Sequence, residues 1–186
     1  MKNKSQLILL SVSAVLIVGN VLLLWQNIAL KAIIRGSHES LTREGDFLNE
    51  FKATNLDGSE AEINFHAGAD KRVLLFFRTT CKFCQEQMKL WKTLASGVDR
   101  RKFKVTAVTT EKESVGIREF MRRYGVEDWE VLEISSEDAK DAKFGLTPLT
   151  AVVDQDGKVV KSWAGLWSED QLRGIGEYFD VNFSNS

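Results

Sequence analysis

The chain has 186 residues, with 25 Lys and Arg against 26 Asp and Glu, so a formal net charge of −1 offers no electrostatic case for nucleic acid as a partner. Two histidines cannot plausibly serve a Ser/His/Asp triad, and no phosphate-binding glycine loop, internal repeat or low-complexity segment is present. The composition fits one soluble domain on a tether.

The amino-terminal stretch is the tether. No residue between Lys4 and Lys31 is charged, and Leu7 to Leu24 is dominated by Leu, Val and Ile. At about 1.5 Å per residue a helix over this run crosses a hydrocarbon core of roughly 30 Å. A cleaved signal peptide is the competing reading, because Lys2 and Lys4 form a positive n-region. The apolar run is longer than the usual h-region of about 7–15 residues, however, and no clear A-x-A site follows. Residues 1–30 are therefore expected to be a single-pass anchor with Trp25 at the far interface. Lys31, Arg35 and Arg43 oppose Lys2 and Lys4 in the positive-inside count, but the short amino-terminal side and the chemistry below favour a catalytic domain outside the cell membrane. Residues 31–44, polar and charged, are expected to link this anchor to a domain over 45–186.

Within that domain Val73-Leu74-Leu75-Phe76-Phe77 is a continuous apolar run, the pattern of a strand buried on both faces. Arg78-Thr79-Thr80 then makes a polar turn into Cys81-Lys82-Phe83-Cys84, which holds both cysteines of the chain. Met88, Trp91, Leu94 and Ala95 follow at helical spacing before Gly97, a core-facing stripe. Phe103 to Val108 alternates as a second strand. Thr110 and Glu113 have capping-box spacing ahead of a helix whose inner face is Ile117, Phe120, Met121 and Tyr124. Trp129 to Leu132 is expected to be a short strand. Leu149 to Val153 and Lys158 to Trp163 flank Asp156-Gly157, a hairpin signal. A last helix is expected from Ser168, with Gln171 at its third position and Leu172, Ile175 and Phe179 inward, weakened by Gly174 and Gly176.

Two cysteines at this spacing on the first helical turn can close a small-ring disulfide. The helix N-terminus stabilises a nearby thiolate, so Cys81 is the expected nucleophile and Cys84 the resolving thiol. Lys82 and Arg78 add positive charge around Cys81. Glu86 is the acid on the same helix, either a proton-transfer group or a solvated surface residue. Zinc would want about four Cys and His ligands, and His38 and His66 lack a second paired spacing. A purely structural disulfide over so short a loop would stabilise little. Strand, turn, CxxC and helix beside a βαβ pattern are the arrangement of a thioredoxin-like redox motif.

Three segments carry a closer resemblance. Phe47 through Asn55-Leu56-Asp57-Gly58, Leu75 through Cys84, and Gly145-Leu146-Thr147-Pro148 followed by Val152 through Val160 resemble the TlpA/ResA-type thioredoxin-like oxidoreductases, which are membrane-tethered and handle disulfides outside the cytoplasm. The resemblance implies an α/β thioredoxin-like fold, a mixed central sheet with helices on both faces, preceded by a single transmembrane helix. It implies that Pro148 is a cis-proline facing the cysteines and that Thr147 offers backbone groups to a substrate peptide. It also implies catalysis through a Cys81–Cys84 disulfide without a separate cofactor or metal, with extracytoplasmic disulfide-containing proteins such as apocytochrome c as substrates and a membrane thiol carrier as electron partner. The chain departs from that pattern in several places. Thr80 stands where the family usually has tryptophan, Lys82-Phe83 where proline is common, Gln87 where many relatives have glutamate, and Leu75 where thioredoxin has a buried acid. A peroxiredoxin-like peroxidase and a non-catalytic binding module of the same fold are the alternatives. The peroxidase normally needs proline and threonine before its reactive cysteine, and here no proline precedes Cys81 while Arg78 holds the threonine's place.

Overall fold

The structure is a computed structural model and describes residues 16–26, 41–66 and 68–183. Cα packing divides the chain between Met1–Glu39 and Ser40–Ser186. In the first unit, residues 16–26 are helical (α1) and leave Leu16, Ile17, Val18, Val21, Leu22, Leu23, Leu24 and Trp25 exposed. The rest of the anchor expected over residues 1–30 lies outside the described residues, as does most of the expected linker. Among the described residues no helix is long and apolar enough to cross a membrane.

The second unit is built on β3 (Lys71–Phe76), whose apolar run is buried as expected for a central strand. Val73, Leu75 and Phe77 point into one core, and Leu74 and Phe76 into another on the opposite face. That alternation is the two-residue period of a strand covered on both sides. β3 pairs in parallel with β4 (Phe103–Thr109), which pairs in parallel with β5 (Val131–Ile134). On its other side β3 runs antiparallel to β6 (Leu149–Asp154), the first strand of the hairpin completed by β7 (Val159–Ala164). With β1 (Phe51–Asn55) and β2 (Glu60–Ile63) the sheet has the order β2-β1-β5-β4-β3-β6-β7.

The first core takes the inner faces of α2 (Lys82–Gly97), α3 (Ser114–Tyr124) and α5 (Glu169–Phe179). The opposite face is covered by the short α4 (Ser136–Asp141) through Ala139, and by Leu48, Phe51, Phe65 and Phe144. Helices on both faces thus depend on α4, which the sequence pattern did not suggest because six residues with one buried side chain carry no periodicity.

Other boundaries also differ. β5 begins two residues later than expected, because Val126 to Trp129 is a turn in which the Trp129 N–H donates to the Val126 carbonyl at 3.2 Å. The Thr110/Glu113 capping box does not form. Glu113 is itself the N-cap of α3 and makes no side-chain cap bond, while the segment before it is drawn toward the end of β3 by Glu111. The Ser168/Gln171 capping box on α5 is complete. Gly176 in that helix is required by the returning chain, since a Cβ there would lie 2.7 Å from the Val181 carbonyl oxygen. Residues 41–44, on the expected linker, are fastened to this unit. Thr42 is buried, its N–H donates to Lys143 and its carbonyl accepts from Ser162 Oγ, while Glu44 pairs with Lys161.

Candidate active site

Cys81 is the N-cap of α2, placed there by the turn that leaves the C-terminal end of β3. Its N–H donates to the Arg78 carbonyl at 3.2 Å, and its own carbonyl accepts the Gln85 N–H at 3.1 Å. The sulfur takes the role an N-cap oxygen usually plays. The Cys84 N–H donates to Cys81 Sγ at 3.4 Å, satisfying one of the helix's orphan donors with a sulfur acceptor. Both cysteines are free thiols, Cys81 half-buried and Cys84 buried.

Opposite them is the turn into β6. The Thr147–Pro148 peptide bond is cis. Cys81 Sγ donates to the Thr147 carbonyl at 3.5 Å, while the Pro148 carbonyl is taken by the Gly165 N–H at 2.8 Å. The proline therefore sits at the start of a paired strand, and Thr147 is the backbone unit that faces the sulfur.

The two thiols have opposite acidities. Burial pushes Cys81 up, but hydrogen bonds with the Thr147 side chain, the Cys84 thiol and the N–H groups of Cys84 and Phe83 outweigh it and leave Cys81 below the ordinary thiol value. Cys84 is pushed up to about 12, first by burial and then by the hydrogen bond and negative charge of Cys81, only partly offset by the Arg78 backbone and Thr147. Cys81 is thus the thiolate-forming partner and Cys84 is held protonated.

The charged residues singled out from sequence lie differently. Lys82 and Glu86 are exposed on the outer side of α2, and Arg78 is exposed on the preceding turn. None is among the largest influences on Cys81, which are hydrogen bonds and burial rather than side-chain charge. Gln87, by contrast, is fully buried three residues after Cys84, and its Oε1 accepts the Trp167 N–H at 3.0 Å. The core beneath Cys84 therefore offers a neutral amide at this position.

Sequence reasoning missed the clamp on the pre-cysteine turn. Glu111, on the connection from β4 to α3, accepts from the Thr79 N–H at 3.0 Å and from Thr79 Oγ1 at 3.2 Å. Gln85 Nε2 donates to the Thr79 carbonyl at 3.0 Å. All three polar groups of Thr79 are thus held by side chains of other elements. Glu111 belongs to a charged run, Glu111-Lys112-Glu113, that looks like solvated surface, so no local signal distinguishes it. Among the described residues no group of three or more His, Cys, Asp or Glu side chains is placed to hold a metal ion.

Fold and thiol geometry together define the class, a thioredoxin-like thiol–disulfide oxidoreductase. A family model described as Redoxin matches residues 43–169, and the chain belongs to that family. The thiol-disulfide oxidoreductase ResA of Bacillus thuringiensis (strain Al Hakam) is 26% identical over 125 residues, which are 67% of this chain and 71% of that protein. A solution structure of a thiol:disulfide interchange protein from Bacteroides sp. superposes with a TM-score of 0.58 at 18% identity, covering 78% of this chain and 95% of that one. The structure of MTB dsbF in mixed oxidized and reduced forms gives 0.52 at 26% identity, covering 69% and 94%.

Proposed function

We propose that the protein is a membrane-anchored, extracytoplasmic oxidoreductase that reduces disulfides in client proteins, with cytochrome c maturation as the fitting process. The observation that carries the reading is the asymmetric thiol pair, an acidified Cys81 at the head of α2 over a buried, protonated Cys84, facing the cis-proline turn. The exposed apolar face of residues 16–26 and the uncharged run from Lys4 to Lys31 support the anchor, in the inner or plasma membrane, with the catalytic domain on the periplasmic side.

In the reaction, the client lays an extended segment along Thr147 by β-augmentation. The Cys81 thiolate attacks one client sulfur, a mixed disulfide forms, and the other client sulfur leaves as a thiolate that takes up a proton. At neutral pH a thiol held near 12 is ionised in only about one molecule in 10⁵, so Cys84 does not react prematurely. Once Cys81 is in the mixed disulfide it no longer bears negative charge, and that part of the burden on Cys84 is lifted. Cys84 then loses its proton and attacks Cys81 Sγ, the first client sulfur leaves, and the protein holds a Cys81–Cys84 disulfide. Two electrons have passed to the client, and a membrane dithiol carrier returns them.

The test is equilibration of the full chain in detergent micelles with defined thiol buffers. A reduction potential near or below about −250 mV supports a reductase, whereas one near −120 mV makes it an oxidant. Failure to form the Cys81–Cys84 disulfide reversibly would refute the enzyme reading. Labelling of Cys81 in intact cells by a membrane-impermeant maleimide tests the side of the membrane, and labelling only after lysis would overturn it.

A further inference from the structure

A second feature borders the two segments that lead into the site. Between the turn after β3 and the loop before Thr147 lies a recess of about 210 Å³ lined by Phe76, Arg78, Thr110, Lys140, Lys143 and Gly145, among others. Its floor is aromatic and its rim carries three cations from three parts of the chain: the pre-cysteine turn, α4 and the loop after it. Lys143 is paired with Asp46 at 2.9 Å, whereas Arg78 and Lys140 have no ion pair among the described residues.

No carboxylate lines the recess, and three from the neighbouring segments have partners of their own. Asp46 accepts from Lys143 and from the Arg43 N–H, Glu111 spends both oxygens on Thr79, and Asp138 accepts from Ser135 Oγ. Those carboxylates keep their charge, but Arg78 and Lys140 line one recess with no ion pair between either of them and a carboxylate among the described residues. Arg78 lies three residues before Cys81, and Gly145 two residues before Thr147. A client strand added along Thr147 advances roughly 3.3 Å per residue, so side chains two or three positions from its cysteine reach the recess.

Resting on the reading of the site as a client-disulfide reductase, we infer that this recess selects client segments bearing an aspartate or glutamate two or three residues from the reactive cysteine. The carboxylate sits between Arg78 and Lys140, with Thr110 as a further hydrogen-bond donor. The exposed apolar side chains around the thiols, Phe83, Leu146 and Leu166, contact the rest of such a segment whatever its charge.

The experiment uses the reduced full chain in detergent micelles and disulfide-bonded peptides that differ only in Asp, Asn or Lys at the second or third position from the cysteine. The readout is the ratio of kcat/KM between peptides, in which general losses of activity or folding cancel. The expected result is a preference for Asp over Asn of about three- to tenfold, with Lys poorest, shrinking toward unity in about 0.5 M salt. Lys140→Gln together with Arg78→Gln removes the preference, and Lys140→Glu with Arg78→Glu reverses it. Equal kcat/KM for Asp and Asn peptides, with turnover intact, overturns the inference alone. Absence of turnover on every disulfide, the neutral ones included, overturns the reductase reading and the inference with it.

Discussion

The acidity of Cys84 makes a prediction about stability that is separable from catalysis. A thiol whose folded-state pKa is near 12, against an ordinary value of 9.0, is held neutral by the fold. Its contribution is therefore fully present below about pH 9 and is lost as the pH rises from there toward 12. Each unit is worth about 1.4 kcal/mol, so the full span is about 4 kcal/mol and the part reachable at pH 11 is about 2–3 kcal/mol. The perturbation is Cys84→Ala, which removes the titrating group and leaves a small, pH-independent packing loss. Urea unfolding of the reduced full chain in micelles, followed by tryptophan fluorescence at pH 8, 9, 10 and 11, gives the stability difference between wild type and variant. Subtraction cancels the lysines and tyrosines that titrate over the same range. The wild type should lose its advantage with a slope approaching 1.4 kcal/mol per pH unit above pH 9. Because part of the upward push comes from Cys81, a Cys81→Ser background, without the negative charge beside Cys84, should show a smaller loss that still begins near pH 9 but levels off at lower pH. A difference constant to within about 0.5 kcal/mol across the series would refute the argument, since no shift worth a unit could then exist.

Three other perturbations test the scaffold. Arg72 is 5% exposed and its partners are Glu130 and Thr106, so Glu130→Ala leaves a buried guanidinium without its counter-charge. Breaking a buried pair costs roughly 3–5 kcal/mol, which we discount to about 2–3 because the Glu130 side chain is 34% exposed, and chemical denaturation at pH 7 measures it. Burial pushes Glu130 up, but Lys104, Thr106 and Arg72 outweigh it and leave the carboxyl below its ordinary value of 4.5, so this stability should fade only as the pH falls below 4.5 toward the folded pKa. Glu111→Ala frees Thr79 and should slow alkylation of Cys81 by iodoacetamide at pH 7 about threefold with little change in Tm, while Glu111→Gln retains an oxygen for the Thr79 N–H and keeps most of the rate. Gly157→Ala places a Cβ 2.5 Å from the Leu48 carbonyl oxygen at φ +79°, and a loss of about 2–4 kcal/mol in urea unfolding is expected.

What was legible in the sequence was what is local. The apolar run of β3, the inner stripe of α2, the Asp156-Gly157 hairpin and the Ser168/Gln171 cap are each written in fewer than about 16 consecutive residues, and each has the expected form. The two cysteines could be placed at a helix start for the same reason. What was not legible depends on distant partners. The capping spacing of Thr110 and Glu113 lost to Glu111, whose bond to Thr79 spans 32 positions. β2 is half exposed with one buried side chain, so its pattern is too weak to stand out, and it exists by pairing with β1. Lys140 and Lys143 gave no signal because their nearness to Arg78 is created by the sheet order alone.

The same sheet order explains why the parts of the thiol site fall at one place. β3 and β4 run parallel and end together, while β6 runs antiparallel and begins beside them, so the exits of two strands and the entry of a third share one edge. Each brings a different chemical element. The exit of β3 supplies the turn and the sulfur on a helix N-terminus, the exit of β4 supplies the carboxylate that fixes the turn, and the entry of β6 supplies the cis-proline and the Thr147 carbonyl. α4 adds cations to the rim from the layer on the other side of the sheet. Acidity at Cys81 therefore arises from hydrogen bonds with Thr147, the Cys84 thiol and backbone N–H groups, whereas Arg78 and Lys140 are exposed to solvent. Replacing Arg78 or Lys140 should therefore leave the alkylation rate of Cys81 near that of the wild type, whatever it does to the client preference proposed above.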